Sequence, residues 1–316
     1  MLFLAGVMGM ALVGATVFIG FDAGDEDDEA SLPNAPQDTT IEHLITSGTS
    51  ESEALEGSEG ADQMNGYGGA DTLDGGSGRD DLHGWTGDDI LIGGAGQDTL
   101  HGEDGQDSLM GGDDADALYG HNGDDVLMGG AGDDMLQGSA GQDILFGEEG
   151  ADALHGGLGD DTLIGGAGQD TLFGGWGNDL IDGREEGAAE LDYVNGGDGD
   201  DRLIAGGYDI VTSGIGRDDI VIGDWIAQGE EAHIHDFDPL EDRLIIVFDG
   251  QNNGEVEPDI TIARDGIDPD VSHILMNGEM IAAVQSDLAL SVSDVLIMAQ
   301  SDAALFFGAG EVLPVI

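Results

Sequence analysis

The sequence predicts an all-β solenoid of stacked short strands, and three observations carry that prediction. From Gly57 to Asp182 a glycine recurs at every ninth residue, at 57, 66, 75, 84 and onward to 174, which makes 14 rows in 126 residues. The sixth residue of every row is Asp, and the eighth is a large apolar residue, from Met64 and Leu73 through to Ile181. The row Gly93 to His101, GGAGQDTLH, shows all three features.

Each feature has a local reason. Glycine is frequent among the first six residues of a row, and it permits backbone dihedrals closed to other residues, so this half is a tight turn. The last three residues alternate outward, inward and outward, a minimal strand with one buried side chain. Such a unit cannot bury its apolar residue alone, whereas stacked units can. These rows resemble the GGxGxDxUx repeat of hemolysin-type (RTX) calcium-binding proteins, where U is a large apolar residue. The resemblance implies a right-handed parallel β-roll in which two rows make one 18-residue coil. Odd rows then form one sheet and even rows the other, with the eighth-position residues meeting between them. It also implies that calcium ions lie between the turns of adjacent coils, held by turn carbonyls and the sixth-position aspartates. Those are Asp62, Asp71, Asp80, Asp89, Asp98, Asp107, Asp116, Asp125, Asp134, Asp143, Asp152, Asp161, Asp170 and Asp179, continued by Asp192 and Asp201.

In that geometry Asp80, Asp98, Asp116 and Asp134 stack roughly 4.8 Å apart, the strand spacing. Neighbouring charges would repel by about 0.9 kcal/mol in bulk water and about 3.5 kcal/mol at an effective dielectric of 20. Burying one Leu returns only about 1.5 to 3 kcal/mol. That gain cannot also cover the conformational entropy of a glycine-rich chain, so a cation is expected in the turns. Carboxylates and carbonyls make a hard oxygen site suited to several Ca²⁺ ions, whereas Mg²⁺ prefers to keep its water. Zinc is disfavoured there, because the chain has no Cys and its His residues are not among these ligands.

The rest of the chain follows from its beginning. Met1 to Phe21 carries no charged side chain and is long enough to span a bilayer. No Lys or Arg precedes the apolar run, so residues 1–21 read as an uncleaved N-terminal transmembrane helix rather than a cleaved signal. Residues 22–56 are acidic and rich in Ser, Thr and Pro, which predicts a disordered linker. The roll is expected over 57–205. After Asp182 the segment Gly183 to Asn195 is a row with four extra residues that still supplies Asp192 and Val194, and degraded rows follow through Asp209 and Asp219.

Residues 206–316 are expected to form a small β-rich cap. Strands are predicted at His233 to Phe237, Arg243 to Phe248, Asp259 to Ala263, Ser272 to Met276 and Met280 to Val284, with a short helix starting near Ser291. The stretch His233 to Phe248, HIHDFDPLEDRLIIVF, resembles the element that closes the roll in RTX secreted proteases and lipases. The tail Ala303 to Ile316 loosely resembles a type I secretion signal.

The outer faces differ. Ninth-position residues of even rows form an apolar column, Ile92, Met110, Met128, Phe146 and Ile164, closed by Asp74 and Asp182. That column is a candidate surface for a protein partner or a second copy. At the second position even rows two to ten carry Tyr67, Trp85, Glu103, His121 and Ser139, where odd rows three to nine carry Gly76, Gly94, Gly112 and Gly130. This position, and His83, His101 and His155, read as solvated surface.

With 6 Lys and Arg against 68 Asp and Glu, the formal net charge is −62, which argues against nucleic acid and anionic membrane surfaces as partners. The absence of Cys excludes a disulfide framework and thiol chemistry. There is no HExxH, GxSxG or phosphate-binding P-loop, so no catalysis is expected. The sequence therefore points to calcium binding by an extracellular or cell-surface β-roll that folds on Ca²⁺ after export. A calcium-dependent adhesin or matrix protein that docks through the apolar column is the alternative.

Overall fold

Each strand of the repeat spans two rows. In the computed structural model, which describes residues 43–185, 188–248 and 257–307, strands such as Ile90–Ala95 and Thr99–Asp104 take positions seven to nine of one row and one to three of the next. Two positions per strand face inward, the eighth-position apolar residue and the following glycine, as at Leu91 and Gly93. The inward glycine is required by space. A Cβ on Gly93 would lie 2.6 Å from Asp98 Oδ2 and 2.7 Å from the Gly111 carbonyl oxygen.

Alternate strands build two sheets. One begins Ile45–Ser47, Gln63–Gly68, Asp81–Thr86, and the other Ala54–Ser58, Thr72–Ser77, Ile90–Ala95; they contain 14 and 12 strands among the described residues. Within the regular array each strand pairs in parallel with the one 18 residues on, as Ile90 with Ser108 and Leu91 with Leu109. Between the sheets runs one core of eighth-position side chains, Met64, Leu73, Leu82, Leu91 and their successors, almost all fully buried. Each is worth about 1.5 to 3 kcal/mol on removal from water.

The solenoid starts earlier than the expected boundary at 57. Within the segment read as a disordered linker, residues 48–56 (GTSESEALE) are a row in phase, with Gly48 first, Glu53 sixth and Leu55 eighth and buried. Glu53 replaces Asp: its carboxylate accepts from Thr49 N at 3.0 Å, and its own N–H donates to Asp71 Oδ1 at 2.7 Å. The expected helix at residues 1–21, and the linker as far as residue 42, lie outside the described residues. Among those described, no helix is long and apolar enough to cross a membrane.

Nor does the stacking stop at 205. Beyond the insertion after Asp182 the register resumes, with Leu172 opposite Val194 and Val194 opposite Val211. Parallel pairing continues through Ile210–Ile215, Asp219–Gly223, Ala232–His235 and Arg243–Phe248. One sheet then ends in an antiparallel meander of Glu279–Gln285, Val271–Met276 and Ile260–Arg264, and the other in Val295–Ala299 paired in parallel with Arg243–Phe248. The helix expected from Ser291 is a short 3-10 turn, Val292–Asp294, capped by Ser291 and followed by that strand. The apolar run VLIMA supplies the pairing that the open edge of Arg243–Phe248 demands, and tertiary pairing overrides the local helical reading. The helix itself comes later, at Gln300–Phe307.

The apolar column is continuous. Ile92, Met110, Met128, Phe146 and Ile164 are cross-strand neighbours on the outer face of the second sheet, each half-buried against the next. Further along the same face Ile204, Val221 and Ile245 pass beneath a small second core with Met298 and Ala303, so there the chain covers itself.

Candidate metal centre

The sixth-position aspartates form two columns, one from alternate rows and one from the rows between. The backbone N–H of each donates to Oδ1 of the Asp one coil further on. Asp62, Asp80, Asp98, Asp116, Asp134, Asp152, Asp170 and Asp192 are linked in this way at 2.7 to 2.9 Å. Asp71, Asp89, Asp107, Asp125, Asp143, Asp161, Asp179 and Asp201 form the second column in the same range. The Asp carbonyl takes part in the ladder as well, Asp80 O accepting from Thr99 N at 2.9 Å. Coil stacking thus uses the N–H, the carbonyl and one carboxylate oxygen.

The other oxygen is left over. Oδ2 of Asp71, Asp80, Asp89, Asp98, Asp107, Asp116, Asp125, Asp134, Asp143, Asp152, Asp161, Asp170, Asp179, Asp192 and Asp201 is buried and has no hydrogen-bond partner. Leaving even one charged acceptor buried and unpaired costs more than a typical hydrogen bond returns. A column of them is not tolerable without a counter-charge. Around Gly93 the orphaned Asp98 Oδ2 and the Gly111 carbonyl oxygen converge, at 2.6 and 2.7 Å from where a Cβ would lie. Hard oxygens in this arrangement fit Ca²⁺.

Asp62 differs from its successors. Its Oδ2 accepts from Ser58 N, and its Oδ1 from Leu44 N and Ser58 Oγ, so neither oxygen is orphaned.

Burial drives the electrostatics. Desolvation pushes the carboxyls of Asp107, Asp116, Asp143, Asp152, Asp161 and Asp201 up to about 7, with hydrogen bonds from backbone N–H opposing it and neighbouring aspartates adding to it. At Asp192 burial, followed by the charge of Asp209, takes the carboxyl to about 9. Without a cation these groups would rather hold a proton.

The columns run further than the sequence suggested. Asp192 N donates to Asp209 Oδ1, Asp201 N to Asp218 Oδ1 and Asp218 N to Asp242 Oδ1. Asp218 Oδ2 is orphaned in its turn, so it belongs with the set above. The row between Ile204 and Ser213 is one residue short, which moves the sixth position from Asp219 to Asp218. Asp219 is then a seventh-position residue, opposite Arg202 and ion-paired with Arg243 at 2.5 Å. The nine-residue spacing from Asp209 to Asp218 was the signal available for this shift. The second-position residues are placed in a way the row-by-row reading missed, on the outer face of the first sheet beside His83, His101 and Tyr119.

These features define a class, a parallel β-solenoid whose turns carry columns of under-satisfied carboxylates. Residues 47–185 carry the RTX repeat. Four copies of the RTX calcium-binding nonapeptide repeat match residues 47–82, 83–118, 119–154 and 155–185, and such repeats bind multiple calcium ions. The first copy begins upstream of Gly57, as the solenoid does. No curated protein matches the chain.

Proposed function

We propose that this protein is a non-catalytic calcium-binding β-roll that works outside the cytosol and folds there when Ca²⁺ reaches its aspartate columns. The observation that carries the reading is the run of orphaned Oδ2 atoms from Asp71 to Asp218. These aspartates are the proposed ligands, and the bound cations supply the counter-charge their stacking needs. In low cytosolic calcium the same charges hold the chain expanded and fit for export. Met1 to Phe21 is proposed as a membrane anchor, and the antiparallel meander of residues 260–285 together with Val295–Ala299 as the closing cap. A calcium titration followed by far-UV circular dichroism and hydrodynamic radius, with magnesium as control, tests this. A sharp coil-to-β compaction specific for calcium is expected. A chain already compact in chelator at neutral pH, or still expanded in millimolar calcium, would overturn it.

A further inference from the structure

On the outer face of the first sheet, histidines and carboxylates from three adjacent coils converge. His83, His101 and Tyr119 are cross-strand neighbours at the ninth position, and Trp85, Glu103 and His121 at the second. His101 lies between two parallel rings, with His83 at 4.5 Å between centroids and Tyr119 at 4.8 Å, so its orientation is fixed before any ligand arrives. His101 Nδ1 is 3.0 Å from His121 Nε2. One donor atom each from His101, Glu103 and His121 lies within 4.8 Å of the others. His83 Nδ1 is buried without a hydrogen-bond partner, 3.5 Å from Glu103 Oε1.

We propose that His101, Glu103 and His121 bind one divalent transition cation of the zinc class, with His83 Nδ1 the nearest further donor. The site is chemically distinct from the aspartate columns, because imidazole nitrogens suit borderline cations and Ca²⁺ takes oxygen. Two nitrogens on a tetrahedral zinc stand about 3.3 Å apart, so the 3.0 Å pair needs only a small opening. Glu103 and His121 also occupy left-handed backbone, at φ 79° and 76°, where the opposite sheet places glycine at Gly94, Gly112 and Gly130. Side chains there cost backbone strain that glycine would avoid. A second triad, Asp81, His83 and His101, shares His101, so one ion per chain is expected rather than two.

The test is a calorimetric titration of the full chain with zinc chloride in millimolar calcium, which keeps the aspartate columns filled. One zinc per chain is expected above the weak carboxylate background. His101→Gln and His121→Gln should each weaken it at least tenfold, while His155→Gln on the same sheet should not change it. Calcium-dependent circular dichroism reports whether each variant folds. On the unaltered protein, imidazole ¹⁵N shifts of His101 and His121 should move with zinc while those of His155 and His273 stay. Undiminished zinc binding in the double His101→Gln, His121→Gln variant, absence of a tight zinc, or shifts spread evenly over all the histidines would each overturn the proposal.

Discussion

At Gly96 the backbone has φ 124°, and an added Cβ would lie 1.6 Å from the carbonyl oxygen of Gly78 one coil back. Gly266 has open space around it and no such backbone constraint. The two glycines therefore predict opposite outcomes. Gly96→Ala must shift a turn in the middle of the array and should cost roughly 3 kcal/mol or more, while Gly266→Ala should stay within about 0.5 kcal/mol of wild type. Urea unfolding at saturating calcium measures both, and equal midpoints would mean that coils do not stack at the observed spacing. Much of the residue-scale picture was legible in the sequence, because a sixth-position Asp and an eighth-position Leu recur under one geometric constraint. What the sequence could not reveal was how the carboxylate divides its oxygens. That Oδ1 of Asp98 is taken by Asp80 N while Oδ2 is left over depends on inter-coil contact, which periodicity alone does not describe.

Among the elements, the repeat and most of the C-terminal strands could be read locally. Arg243–Phe248 falls at the predicted bounds, and Ile260–Arg264, Val271–Met276 and Glu279–Gln285 lie within a residue or two of them, because turn residues and β-branched runs mark them. Val295–Ala299 was misread because its conformation is set by the strand it completes. The closure of the outer apolar face was hidden too. Asp182 interrupts that face and is held by Arg184 through three bonds, backbone N to Oδ1 at 3.0 Å and, from the side chain, Nε to Oδ1 at 2.9 Å and Nη2 to Oδ2 at 2.7 Å. Arg184 in turn lies 5.1 Å from the Trp225 ring, whose Nε1 donates to Ala205 O at 2.8 Å. Both partners of this pair are buried. Arg184→Met would leave the buried Asp182 carboxylate without its counter-charge and should cost about 3 to 5 kcal/mol, whereas adding Asp182→Leu should recover much of the loss. Thermal unfolding of the calcium-loaded single and double variants checks this, and a neutral single variant would show that the pair is not desolvated in solution.

For the whole molecule the governing quantity is charge. Against a net charge of −62, every carboxylate in the columns must find a cation or a proton when the coils close. In the calcium-free fold Asp107, Asp116, Asp143, Asp152, Asp161, Asp201 and Asp218 titrate at about 7, with burial as the main cause, while in the unfolded chain they titrate near 4. Between those values the folded state holds protons that the unfolded state has released. Stability of the calcium-free roll therefore falls as pH rises from about 4 to about 7, and the contribution is fully present only below the unfolded value. In chelator the chain should be expanded at pH 8 and contract with gain of β-structure on acidification toward pH 5, protons standing in part for calcium. Protons and calcium both bind the folded columns in preference to the unfolded chain, so acid assists folding and the calcium concentration at half-folding should fall as pH falls from 8 to 6. Hydrodynamic radius against pH in chelator, and the calcium midpoint against pH, measure the two arms separately. A radius flat from pH 8 to pH 5 together with a pH-independent midpoint would mean that the aspartates are solvated in the folded chain, and the columns would lose their part in the folding switch.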